Sequence, residues 1–123
     1  MFEIIIRQSL SSAHALRHYH GTTEPLHGHN FEVEVVLRGK QLQNKVKYLL
    51  DFVSVQRTLE TVVRPMDHVN LNETPPFDRE NPSAENIALY IGRQLAQRWR
   101  EPGVKIASVT VWETPVQAAR YIP

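Results

Sequence analysis

The apolar residues of this chain change their spacing twice, and that pattern restricts the fold more than any other feature. Over residues 29–39 they alternate, with Phe31, Val33, Val35 and Leu37 on one face and Glu32, Glu34 and Arg38 on the other, the period of a half-buried strand. Residues 2–10 read as its antiparallel partner. The spacing then lengthens to Val55, Leu59, Val62, Val63 and Met66, a helical stripe that stops near Pro65. A second helix is expected to start at Asn81-Pro82-Ser83, with a capping side chain and a proline in its first turn, and to bury Ala84, Ile87, Ala88, Ile91, Leu95 and Trp99. Glu101-Pro102-Gly103 ends it, and residues 104–113 and 116–122 return to strands joined at Thr114-Pro115. The short apolar run Val46 to Phe52 reads as an extended piece ended by Asp51, while Ser83 and Glu85 suit the first turn of a helix. The expected fold is α+β over residues 1–123 as one domain, a four-stranded antiparallel sheet with two helices on one face. Its edge strands would be open, so assembly with further copies is expected.

Composition removes several classes of function. With 14 basic and 13 acidic residues the formal charge is +1, too little for a broad field that holds a polyanion, so no nucleic-acid partner is expected. The chain contains no cysteine, which excludes disulfides, thiolate ligands and a thiol nucleophile. The N-terminus lacks a signal-peptide pattern, and no apolar stretch approaches the ~18 residues of a membrane span. A cytoplasmic location and no membrane partner are the expectations.

Chemistry concentrates in residues 15–26, which are rich in His, Thr, Gly and Pro without an apolar period, and in the residues that flank them. His27-Gly28-His29 opens the second strand, where residues two apart project to one side and the glycine permits close approach. Neutral imidazoles suit zinc, and three protein ligands with an open fourth position mark catalytic zinc. His14, ending the first strand, is the natural third ligand. Because His18, His20 and Glu24 crowd the same loop, composition alone leaves the ligand set open, and His18 and His20 read as solvated. Asp67-His68, just past the first helix, combines a carboxylate and an imidazole that could act as an acid–base pair. Glu113 closes a strand lined by Val109 and Val111, which would aim its carboxylate at a ligand carrying hydrogen-bond donors.

Six ordered motifs resemble the 6-pyruvoyl-tetrahydropterin synthase and 6-carboxy-tetrahydropterin synthase family over nearly the whole chain: Ser11-Ser12-Ala13-His14, His27-Gly28-His29-Asn30, Leu50-Asp51-Phe52, Asp67 to Asn72, Asn81 to Asn86, and Trp112-Glu113-Thr114. The resemblance implies the tunnelling fold, in which trimers close their sheets into a barrel and two trimers commonly stack into hexamers with shared active sites. It implies one zinc ion on His14, His27 and His29, Asp67 and His68 in catalysis, and Glu113 with Thr114 against the pterin ring. The implied substrate is 7,8-dihydroneopterin triphosphate, its side-chain hydroxyls on the zinc. One departure matters: the family's catalytic cysteine lies four residues before His-Gly-His, where this chain has Thr23, whose hydroxyl is a poor substitute for a thiolate. Glu24 resembles a family variant that uses glutamate instead and cleaves the side chain to 6-hydroxymethyl-7,8-dihydropterin for folate synthesis. The alternatives are formation of 6-carboxy-5,6,7,8-tetrahydropterin in the queuosine route or of 6-pyruvoyl-tetrahydropterin. From another class come a non-catalytic pterin- or zinc-binding homologue and a scaffold with structural zinc.

Overall fold

In the computed structural model, which describes all 123 residues, the chain runs β1 (Phe2–His14), β2 (His27–Gly39), α1 (Phe52–Val63), α2 (Ala84–Arg98), β3 (Val104–Thr114) and β4 (Gln117–Tyr121), with single 3-10 turns at Arg64–Met66 and Leu71–Glu73. The strands form one antiparallel sheet in the order β1-β2-β3-β4. Pairing of β1 with β2 is unbroken from Phe2 opposite Gly39 to His14 opposite His27, so both strands extend beyond the expected limits and their far ends carry the histidines. The expected fold class and element order are those observed.

Alternation decides which sheet face is covered. Ile6, Leu10, Phe31, Val33, Val35, Leu37, Val109 and Val111 are buried on one face, and α1 and α2 cover them with Val55, Leu59, Val62, Ile87, Ile91 and Leu95. Burying each such side chain contributes about 1.5–3 kcal/mol, which makes this layer the main source of stability. The opposite face is polar: Arg7 pairs with Glu34 at 2.7 Å and Arg38 with Glu3 at 2.6 Å.

Two local expectations are corrected. Residues 46–51 form no strand; Asp51 is instead the N-cap of α1, its Oδ1 accepting the Val53 N–H at 3.0 Å. Pro82 does not lie in the first turn of α2 but precedes the N-cap Ser83, whose hydroxyl accepts the Asn86 N–H at 3.2 Å. Residues 67–70 run beside the outer edge of β1, with His68 N–H donating to Ser11 O at 2.6 Å and Ala13 N–H to Val69 O at 3.0 Å.

Candidate metal centre

His14 and His27 face each other across the β1–β2 pair, and His29 follows two residues on, on the same side. Their ring centroids lie 4.7–5.1 Å apart, and one nitrogen of each falls within 4.8 Å of the others. Zinc–nitrogen bonds of about 2.1 Å in tetrahedral geometry need nitrogens about 3.4 Å apart, so small ring rotations complete the set. Phe31 closes the floor, 5.3 Å from the rings of His14 and His29.

Hydrogen bonds fix which nitrogen can ligate. His14 is 1% exposed, and its Nδ1 stands 2.7 Å from the Pro82 carbonyl. A carbonyl only accepts, so Nδ1 carries the proton and Nε2 keeps its lone pair. That Nε2 is buried with no hydrogen-bond partner, a costly state for a polar atom unless something binds it. His27 Nδ1 is held in the same way by the Pro25 carbonyl at 3.0 Å. Burial pushes the His29 pKa below its ordinary value, opposed by the negative charge of Glu113 and aided by His14 and His27. An orphaned lone pair, two preset tautomers and a third imidazole biased to its neutral form together fit a metal ion that prefers nitrogen.

Two carboxylates stand beside the cluster. A break in the β3–β4 register between Trp112 and Thr114 falls at Glu113, and such bulges re-aim side chains. Glu113 Oε1 lies 3.9 Å from His14 Nε2. Glu24 Oε1 lies 3.8 Å from His27 Nδ1 and accepts the Leu16 N–H at 3.0 Å. Glu113 also lines an open cavity of about 310 Å3 at the start of α2, with Leu16, Ser83, Ala84 and Glu85. Thr114 is spent locally, its hydroxyl accepting the Val116 N–H at 3.3 Å in the β3–β4 turn.

The remaining sequence candidates lie elsewhere. His18 and His20 are exposed, in the left-handed region at φ 60° and 50°, outside the cluster, and Thr23 is exposed as well. Asp67 and His68 pair with each other, Oδ2 to Nδ1 at 2.9 Å, but form no hydrogen bond or ion pair with the cluster or with Glu24. Asp67 Oδ1 accepts the Ser11 N–H at 2.9 Å, and chiefly this bond holds its carboxyl below the usual carboxylate value. His68 is 79% exposed, at φ 56°. Sequence reasoning missed the Pro82 carbonyl as the His14 anchor, because a backbone acceptor has no residue signature. It also gave no role to Arg17, Asn72 and Asn81, which cross-link the loops around Glu24.

Residues 3–123 match the 6-pyruvoyl tetrahydropterin synthase family. The chain is 39% identical over 111 residues to a dihydroneopterin monophosphate aldolase of Pyrococcus furiosus, covering 89% of this chain and 88% of the relative. The fold superposes on the Caenorhabditis elegans 6-pyruvoyl tetrahydropterin synthase with a TM-score of 0.86 at 23% identity, covering 99% and 95% of the two chains. It also superposes on a Plasmodium vivax 6-pyruvoyltetrahydropterin synthase in which a glutamate, described as a catalytic residue, is replaced by cysteine (TM-score 0.77, 26% identity, 98% and 96% covered).

Proposed function

The chain belongs to the 6-pyruvoyl tetrahydropterin synthase family of pterin-processing enzymes, and from that premise we propose that it is a zinc-dependent lyase that cleaves the side chain of a 7,8-dihydroneopterin phosphate to give 6-hydroxymethyl-7,8-dihydropterin. The observation that carries this reading is Glu24. In a chain without cysteine it is the loop acid fixed beside the histidine cluster, 3.8 Å from His27 and tied to Leu16. The aldolase name of the Pyrococcus relative and the catalytic glutamate of the Plasmodium protein support it.

His14, His27 and His29 hold the metal. When bound, zinc supplies Lewis acidity that polarises side-chain oxygens and eases loss of their protons. Glu24 takes the proton from the 2′-hydroxyl; the C1′–C2′ bond breaks and its electron pair passes into the C6–N5 imine of the ring. The 2′ carbon leaves as the aldehyde of a glycolaldehyde phosphate. A proton returned to C1′ completes the 6-hydroxymethyl product, delivered by the Asp67–His68 pair. Glu113, beside Thr114, accepts hydrogen bonds from the ring N–H donors, where a carboxylate acceptor is about twice as strong as a neutral one.

Asp67 and His68 form no hydrogen bond or ion pair with Glu24 in the protomer, which supports a site completed by a neighbouring copy, in a trimer or hexamer built on the two open sheet edges. The proposed setting is cytoplasmic; no helix here is long and apolar enough to cross a membrane.

The test is incubation of zinc-loaded protein with 7,8-dihydroneopterin monophosphate and triphosphate, products being identified by chromatography and mass. 6-Hydroxymethyl-dihydropterin supports the proposal, and the faster substrate fixes the phosphate count. A carboxy- or pyruvoyl-pterin moves the chain to the cysteine-type chemistry, and pterin binding without turnover makes it a non-catalytic homologue. Glu24→Ala is expected to lower kcat by at least about 10²-fold with zinc content and pterin binding intact; unchanged turnover removes Glu24 from the reaction.

A further inference from the structure

Ala15-Leu16-Arg17 follows His14 directly, and its backbone is gripped from both sides although no strand pairs with it. On one side, two asparagine amides take the place of a partner strand. Ala15 N–H donates to Asn72 Oδ1 at 2.8 Å while Asn72 Nδ2 donates back to Ala15 O at 2.8 Å. Two residues on, Arg17 N–H donates to Asn81 Oδ1 at 2.8 Å and Asn81 Nδ2 donates to Arg17 O at 3.0 Å. Extended backbone presents the groups of alternate residues to opposite sides, so Leu16 is left facing the other way. Both of its backbone groups go to Glu24: its N–H donates to Oε1 at 3.0 Å, and its carbonyl accepts the Glu24 N–H at 3.0 Å.

Arg17 locks the frame. Its guanidinium donates to the carbonyls of Asn72 at 3.1 Å, Phe77 at 2.9 Å and Glu80 at 3.1 Å, the fixed fork that arginine supplies and lysine does not. The two asparagines are also anchored to other parts of the site. Asn72 lies in the segment that carries Asp67 and His68, and Asn81 precedes Pro82, whose carbonyl holds His14.

We propose that Asn72 and Asn81, braced by Arg17, are positioning residues for Glu24. They hold the Leu16 N–H at a fixed point, so that Oε1 is anchored there and Oε2 is the oxygen that exchanges a proton with the substrate. A glutamate side chain has three rotatable bonds, and a base displaced by about 1 Å can lose about 10²-fold in rate. Two-pronged grips on residues 15 and 17 remove that freedom without touching the substrate themselves.

The inference rests on Glu24 being the base, and a mutant cycle separates the two ideas. The expected result for Asn72→Ala is a kcat lowered by roughly ten- to a hundred-fold, with KM, zinc stoichiometry and zinc affinity unchanged. Glu24→Asp is one methylene shorter and cannot both reach Leu16 N–H and serve the substrate. Adding Asn72→Ala to Glu24→Asp should therefore cost little more. If the two losses multiply, or if Asn72→Ala changes KM or zinc affinity while kcat holds, Asn72 has a general structural role and the proposal is overturned. If Glu24→Ala and Glu24→Asp both leave kcat intact, the reading of Glu24 as base fails first and the clamp fails with it. Should Asn72→Ala not fold, Asn72→Asp, which keeps the acceptor for Ala15 N–H and replaces the donor to Ala15 O with a second acceptor, is put through the same cycle, with the same outcomes deciding.

Discussion

His14 combines two demands in one side chain, since it is buried beside Phe31 and the Pro82 carbonyl and yet leaves Nε2 unpartnered. In zinc-free protein, His14→Ala removes a buried ring, worth about 3–5 kcal/mol for a comparable aromatic, but also relieves an unpaired polar atom worth about 1–3 kcal/mol. The net expectation is a loss of about 2 kcal/mol in chemical denaturation, smaller than a core truncation, together with loss of stoichiometric zinc by elemental analysis. The pH dependence of the zinc-free protein has a definite sign. His29 has a folded pKa below the ordinary 6.5, chiefly through burial, so the unfolded chain takes up its proton first. Its contribution is therefore present above pH 6.5 and is lost as pH falls from 6.5 through the lowered folded value. Urea midpoints measured from pH 7.5 down to 5.5 should decline, and His29→Gln should flatten the decline. Asp67, held low chiefly by the Ser11 N–H, adds its own loss only in more acid solution, as pH falls from the usual carboxylate value through the lowered folded one. At this scale His27 and His29 were legible as a pair two residues apart on one side of a strand, while His14 joined them as the third histidine through the family resemblance, since the expected first strand stopped at residue 10. Which ring nitrogen is left free to ligate was not, because the Pro82 and Pro25 carbonyls decide it.

At the scale of the element, periodicity located every strand and both helices, and the errors fell where an apolar run has no period. Leu49 and Leu50 are buried, yet they pack from a loop, so the run Val46 to Phe52 resembles a strand that is not there, and Asp51 serves a helix instead. Gly92 shows the opposite case, a residue whose reason is invisible without the neighbouring strand. It sits within α2, where a glycine costs about 1 kcal/mol against alanine. A Cβ there would meet the ring of Tyr121 on β4 at 2.6 and 2.7 Å, closer than atoms can approach. Overpacking of this kind costs about 1–3 kcal/mol, so Gly92→Ala should be net destabilising by up to about 2 kcal/mol despite better helix propensity. An unchanged or raised denaturation midpoint would show that Tyr121 moves aside freely.

For the whole molecule, the open edges of the sheet set the expectation. Ser11 and Ala13 turn their N–H groups outward to Asp67 and Val69, and with unbroken register Ile5 turns its own the same way. Segment 67–70 covers only the histidine end of that edge, leaving the rest of β1 and the outer side of β4 free. Proline is tolerated where an edge N–H makes no ladder bond within the sheet. Ile5→Pro should therefore reduce the light-scattering mass from three or six times 14.2 kDa to the protomer, with the β-sheet circular dichroism kept. A 14.2 kDa mass for the unaltered protein would remove the shared-site proposal. What the sequence determined by itself was whatever depends on spacing and residue type: the element order, the buried sheet face, the absence of a thiol and the His27–His29 pair on one side of a strand. Only the tertiary structure decided which groups meet across long separations. Glu113 is carried to His14 by a bulge, Pro82 reaches His14 from the start of α2, and Asn72 and Asn81 grip residues 15–17. Such contacts join residues more than fifty positions apart, and no local period records them.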